Sequence, residues 1–405
     1  MSAVPSDASA PATAPTNGEP VAAEKPQVPA EAETTAPAPA QPTEQAPPVA
    51  QTPVAAPAPA PARETVESLN LPVSAADGLI QKPFGRPVDS SKPPAPAELT
   101  ADQQTKYDSV LKSVSEWTEV PTTSAKGSPT APITDDERMF LTRECLLRYL
   151  RATKWNGPEA VARLQRTLTW RREYGVEKLT PDHISIENET GKQVLLGFDI
   201  HGRPCLYLLP SRQNTEKSDR QIQHLVFMLE RCIDLMPADQ ETLALIVNFS
   251  ETKSGQNASI GQARETVHFL QNHYPERLGR ALVINMPFII LGFFKIITPF
   301  LDPVTREKLK FNEDLKKHVP PNQLLNSVGG EVDFKYDHSA YWPALNKLAE
   351  IKRTEYRERW VQGGKRIGEY ENYLKTGTSP SLSQREPQAN GAAENAAETV
   401  ETSSK

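Results

Sequence analysis

Thr305 and Lys308 stand three apart in the run Asp302-Pro303-Val304-Thr305-Arg306-Glu307-Lys308. Asp302 is a good N-cap and Pro303 suits the first helical position, so the run predicts a short helix with Thr305 and Lys308 on one face. A hydroxyl, an ammonium and the positive helix end can together hold one phosphate. The same residues also make an ordinary capped helix with a solvated lysine, and spacing alone does not separate the two. Just before them runs PFIILGFFKIITPF, residues 287–300. Phe288, Ile289, Ile290, Leu291, Phe293, Phe294, Ile296 and Ile297 leave only Gly292, Lys295 and Thr298 as breaks. A helix apolar on nearly every side must be buried in protein or lipid. At about ten to fourteen residues it is shorter than the roughly 20 a bilayer span needs. It reads as a core helix or as a lid over a greasy cavity. Phosphate donors beside an apolar lid are what a phospholipid requires.

Other chemistry is sparse. There is no GxSxG elbow, no phosphate loop with its lysine and no GxGxxG after a strand. His268 and His273 are five apart on one predicted helix, which suits a surface or core pair better than a metal site; no metal is expected. Cys145, Cys205 and Cys232 lie far apart without CxxC spacing, which argues against a disulfide framework and suits a reducing cytosol. Asp135-Asp136 fits a helix start. Tyr274-Pro275-Glu276-Arg277 is a helix-to-strand corner. Glu276 can reach Lys308 if the fold brings them together, or remain a surface acid beside Arg277. Asn312, the acids after it and Lys316-Lys317-His318 match a short capped helix, or offer cations to an anionic membrane. A chain of 405 residues with no catalytic constellation leans toward binding rather than catalysis.

The elements that must position these residues fall into two styles. Helices are predicted from Thr100 to Trp117, from Thr134 to about Trp155, and from Asn156 until Gly175 stops the last. Residues 194–198 and 205–209 then form a hairpin around Asp199-Ile200-His201-Gly202-Arg203-Pro204. A helix over 219–235, a buried strand over 242–248, a helix over 260–273 and a strand over 278–285 follow. An edge strand comes near 309–311, and helices over 342–361 and 366–374 are split by Gly363-Gly364. Strands alternating with helices indicate an α/β sheet with parallel members.

Charge is uneven: five basic against ten acidic residues in 1–95, two against four in 378–405, and about +1 between, for a net −6. No nucleic-acid partner is indicated. Residues 1–95 hold 20 of the 38 prolines and one aromatic, Phe84. They are expected to form a disordered Pro/Ala-rich arm, and 378–405 a disordered tail. Between them the expected parts are a helical lobe over 96–178, a lipid-binding lobe over 179–336 and C-terminal helices over 337–377. The start, MSAVPSDASAPATAP, has no basic region followed by an apolar one, so no secretory leader is expected.

Read together, LLRYLRATKW (146–155), WRREYG (170–175), the DIHGRP hairpin (199–204), YPERLG (274–279), INMPF (284–288) and PFLDPVTREK (299–308) resemble the CRAL-TRIO family, and most closely the fungal phosphatidylinositol transfer proteins. The resemblance implies a helical lobe, an α/β lobe with an apolar cavity, and a mobile gate over 287–298. Phe288, Ile289, Ile290, Phe293, Phe294 and Ile297 would then meet the membrane. It implies a headgroup site made of Thr305, Lys308, Glu276 and Lys154, with Glu276 orienting Lys308. Where the prototype pairs two basic residues on the helical lobe, this chain reads Thr153-Lys154. Where the prototype holds phosphocholine with hydroxyl side chains, it places Leu243 and Leu245. That pattern resembles the branch linked to azole tolerance, whose cavity can hold sterol.

The implied protein is a monomer, cytoplasmic and peripheral on membranes. It uses no cofactor, carries phosphatidylinositol, exchanges phosphatidylcholine weakly, and presents lipid to phosphoinositide-metabolising enzymes. Its rivals are a sterol or other hydrophobic-ligand carrier with a vestigial headgroup site, and a lipid-sensing adaptor that works through the Pro-rich arm.

Overall fold

A computed structural model describes residues 64–385, apart from 254, 257, 258, 288–291, 293–295, 297, 298, 300 and 302. Helix α1 (Ala101–Ser115) begins at Thr100, whose hydroxyl accepts from Gln103 N while the Gln103 side chain takes the Thr100 N–H. Between the first two predicted helices the chain forms an antiparallel pair, β1 (Glu119–Pro121) and β2 (Thr130–Pro132). The helix expected from Thr134 to Trp155 is two: α2 (Asp135–Phe140) and α3 (Arg143–Ala152). Leu141 leaves the helical region at ψ 59°, and the Thr142 hydroxyl caps α3 by accepting from Cys145 N. Asn156 caps α4 (Gly157–Tyr174), and Gly175 ends it at φ 74°. Val114, Leu146, Leu150, Leu164 and Leu168 form the sealed core of this lobe.

Helix α5 (Pro181–Asn188), on which sequence patterning is silent, leads into the second lobe. Strands β3 (Gln193–Phe198) and β4 (Pro204–Leu208) form the expected hairpin. Asp199 Oδ1 accepts from His201 N and Arg203 N and so closes the turn. Helix α6 (Asp219–Leu235) leads to β5 (Leu243–Asn248), α7 (Ile260–His273) to β6 (Leu278–Ile284), and α8 (Pro303–Lys308) to β7 (Leu309–Phe311). The sheet order is β3-β4-β5-β6-β7, with β4 to β7 parallel, so β5 is the middle strand. Helix α9 (His338–Gln362) lies on α6, and α10 (Glu371–Thr376) lies on α9. The helix expected to start at residue 366 starts at Glu371 instead. Gly368 stands at φ 82°, where a Cβ would come within 2.6 Å of Leu111, so the chain turns there. This is the α/β class expected, with a helical part ahead of a mixed sheet.

The N-terminal boundary differs from expectation. Residues 64–93 are not part of a free arm but a strap on the α/β lobe. Ile80 (2% exposed) and Phe84 (1%) sit inside its core. Ile80 N donates to Asp333 O, and Lys335 N donates to Ile80 O. Gln323, fully buried, gives its Oε1 to Phe198 N and donates from Nε2 to Val73 O, tying the strap to β3. Pro93 reaches Gly202 at the hairpin turn. Composition taken over 1–95 as a whole hid this, because the apolar residues of 64–93, among them Val66, Leu69 and Leu71, share that window with the Pro/Ala-rich run before them. The tail boundary also moves: Leu382 N donates to Glu369 Oε1, Ser381 is buried, and Arg385 stacks over Tyr370.

Among the described residues no helix is long and apolar enough to cross a membrane. The middle strand β5 is not equally covered on its two faces. Ala244 and Ile246 are sealed (0% exposed), whereas Leu245 and Val247 on the opposite face are only half-buried. None of residues 261–273 of α7, the next helix in the chain, is fully buried, although Ala263, Val267 and Leu270 follow helical spacing.

Candidate functional site

Three of the four expected headgroup residues lie at chain corners. Lys154 and Trp155 take left-handed conformations (φ 52° and 63°) just past α3, where Trp155 N donates to Leu150 O. Glu276 is also left-handed (φ 57°), between the buried Pro275 and β6. Non-glycine residues adopt this conformation at a cost, and such strain tends to gather at functional corners. Lys308 ends α8 and directly precedes β7, whose Leu309 pairs with Ala281 of β6. Parallel register therefore sets Lys308 level with Arg280, four residues along the chain from Glu276, which precedes β6. Thr305 and Lys308 are both half-buried, and α8 lies against β6. The cap Asp302 lies outside the described residues, as do the gate residues Phe288, Ile289, Ile290, Phe293, Phe294 and Ile297. Leu243 is buried and Leu245 half-buried on the uncovered face of β5. Neither carries a hydroxyl.

The partner of Glu276 was not foreseen. Arg151 Nε donates to Glu276 Oε2 at 2.5 Å, and Arg151 Nη2 reaches both oxygens of Glu241, at 3.1 and 3.3 Å. One turn earlier, Arg148 donates to Glu241 at 2.7 Å and to Glu371 at 2.9 Å. Arg277 Nη1 donates to the Glu241 carbonyl at 2.9 Å. This rack joins α3 to the entries of β5 and β6 and to α10. Burial by itself would raise the Glu371 carboxyl, but Arg148, Lys375 and Arg277 outweigh it and hold it well below its ordinary range. The signal for the rack was present in LLRYLRATKW: Arg148 and Arg151, three apart on a helix rich in leucine, need acids opposite them.

A second junction holds α7 against the helical lobe. His273 stacks on Trp170 with centroids 4.2 Å apart, and its Nδ1 lies 3.2 Å from Thr167 Oγ1. His268 and His273 stay 6.5 Å apart, ring to ring. Among the described residues no three His, Cys, Asp or Glu side chains gather as a metal site. Tyr274 donates to Glu230 Oε1, which also accepts from Arg171.

This junction sets an acid sensitivity. Burial, then the charges of His268, Arg163 and Arg171, hold His273 down to about 3. Burial, then Lys192, holds the sealed His224 well below its ordinary 6.5. Both are neutral when folded and gain a proton on unfolding below pH 6.5. Their contribution is complete above that value and is lost as pH falls below it, for His273 down to about 3. Burial alone would raise Glu230, but Arg171 and Arg353 push it to about 2, which adds a loss between 4.5 and 2. Calorimetric Tm is expected to be level above pH 7 and to fall from pH 6.5 downward. His273→Phe should flatten the upper part of that fall; an unchanged profile would remove His273 from it.

Comparison with known proteins places this architecture. The CRAL/TRIO domain model matches residues 188–330, and the CRAL/TRIO N-terminal domain model matches 106–166. A CRAL-TRIO domain-containing protein of Schizosaccharomyces pombe is 52% identical over 303 residues, covering 74% of this chain and 30% of that protein. The phosphatidylinositol transfer protein PDR17 of Saccharomyces cerevisiae is 41% identical over 249 residues, covering 58% of this chain and 71% of that protein. The SEC14 cytosolic factor of Kluyveromyces lactis is 30% identical over 236 residues, covering 52% of this chain and 77% of that protein. The chain belongs to the CRAL-TRIO family.

Proposed function

We propose that this chain binds phosphatidylinositol and moves it between membranes as a peripheral carrier, making and breaking no bond. The observation that carries this reading is the middle strand of the sheet. A central strand normally buries both faces, yet Leu245 and Val247 on one face of β5 keep apolar surface uncovered, and none of residues 261–273 of α7 is sealed. Acyl chains can cover such a surface. Membership of the family, and likeness to a relative named as a phosphatidylinositol transfer protein, support the inositol headgroup. Thr305 and Lys308 would bind its phosphate, with Glu276 and Lys154 at the same end of the sheet. Leu243 and Leu245 give phosphocholine no hydroxyl partner, so phosphatidylcholine exchange is expected to be weak. The same apolar face would take a sterol as second ligand.

The test is transfer between vesicles containing labelled phosphatidylinositol or phosphatidylcholine. Glu276→Ala with Lys308→Ala is expected to reduce phosphatidylinositol transfer to background while Tm stays within a few degrees. Full transfer by that variant would remove these residues from the mechanism. Phosphatidylcholine as the main lipid carried by the unaltered chain would overturn the argument from Leu243 and Leu245. Sterol bound without any inositol lipid would favour a sterol carrier instead.

A further inference from the structure

Arg151 and Glu276 form a pair with open valences on both sides. Glu276 uses Oε2 for Arg151, and its Oε1 accepts no hydrogen bond among the described residues. Arg151 uses Nε and Nη2, and its Nη1 donates to none of them. Lys154, exposed and three residues further on, donates its backbone N–H to Arg151 O, while its ammonium makes no hydrogen bond or ion pair with any of them. The Glu276 side chain is held twice over: its backbone is fixed in a left-handed corner, and Arg151 is itself braced by Glu241, which Arg148 and Arg277 hold in turn. The side chain is 36% exposed, so this held carboxylate oxygen, with no protein donor among the described residues, is open to accept a ligand hydroxyl. An inositol ring brings several hydroxyls; a choline headgroup brings none.

We propose that Arg151 is a positioning residue for headgroup specificity: it fixes Glu276 through Oε2 so that Oε1 reads a polyol hydroxyl of the lipid. This rests on the phosphatidylinositol reading above and adds to it the element that separates a polyol headgroup from choline. Arg151 works here through Glu276 rather than by touching lipid.

The experiment compares Arg151→Gln, Glu276→Gln and the double variant in full-length protein, by phosphatidylinositol transfer between vesicles and by Tm. Loss of a hydrogen bond to a charged group predicts a fall of roughly 10- to 100-fold for Glu276→Gln. Arg151→Gln should fall to a similar level, and the double variant no further, because the two act as one unit. Losses that multiply in the double variant, or full transfer by a folded Arg151→Gln, would overturn the proposal. If Arg151→Gln does not fold, Arg151→Lys keeps the charge but cannot bridge Glu276 and Glu241 together. It should stay folded and still lose most transfer; wild-type transfer there would also overturn the proposal. Lys308→Ala in the same assay separates the two readings. Loss at Arg151→Gln with none at Lys308→Ala would remove the α8 site and keep the pair; the reverse would remove the pair alone.

Discussion

A chain lacking residues 1–95 is expected to show no cooperative unfolding transition, while one lacking 1–63 unfolds where the full chain does. The longer deletion removes Ile80 and Phe84 from the core and strips the strap's bonds to Asp333, Lys335 and Gln323. Truncating a buried phenylalanine or isoleucine to alanine costs about 2–5 kcal/mol each. Both together approach the 5–15 kcal/mol that is the whole stability of an ordinary domain, on the order of which this lobe must also stand. Ile80→Ala with Phe84→Ala in the full chain should therefore lower the urea midpoint sharply. A transition that survives the longer deletion unshifted would show the strap to be dispensable. The result also decides how an adaptor role for the Pro-rich segment can be tested: the cut belongs at residue 63, because one at 95 would also unfold the lobe.

Arg148→Met is the second large effect expected. Arg148 is 3% exposed and is bonded to Glu241 and to Glu371, which is itself sealed. Removing one partner of a buried pair leaves an uncompensated charge and costs about 3–5 kcal/mol. Adding Glu371→Gln should return part of that loss, since the orphaned charge goes with it. Low pH provides an independent check. Glu371 is held below its ordinary range in the native chain, so its contribution disappears as pH falls below about 4.5. The gap between the native chain and Arg148→Met should narrow there. A gap that is constant with pH would mean the loss is packing rather than charge.

What could be read in advance follows a physical line. Caps and stops act within four residues, and Thr100, Thr134, Asn156 and Gly175 all serve as expected. The β3–β4 hairpin and the buried runs of β5 and β6 also follow from local pattern. The strap does not, because Ile80 is placed by Asp333 and Lys335, far along the chain. Arg151 was visible as a residue but not as the partner of Glu276, 125 positions away. The Thr142 break in the expected long helix was missed because Thr142 can sit within a helix as well as cap one, and only packing chooses.

The bond from Gln323 to Val73 spans 250 positions. On a ribosome adding about 5–20 residues each second, the strap waits about 12–50 s for the amide that holds it. The strap is thus made well before the side chain that ties it down. Until then the site of Phe84 in the α/β core stands open. That interval is when a chaperone would be needed, and when a stalled or shortened chain would be most prone to aggregate.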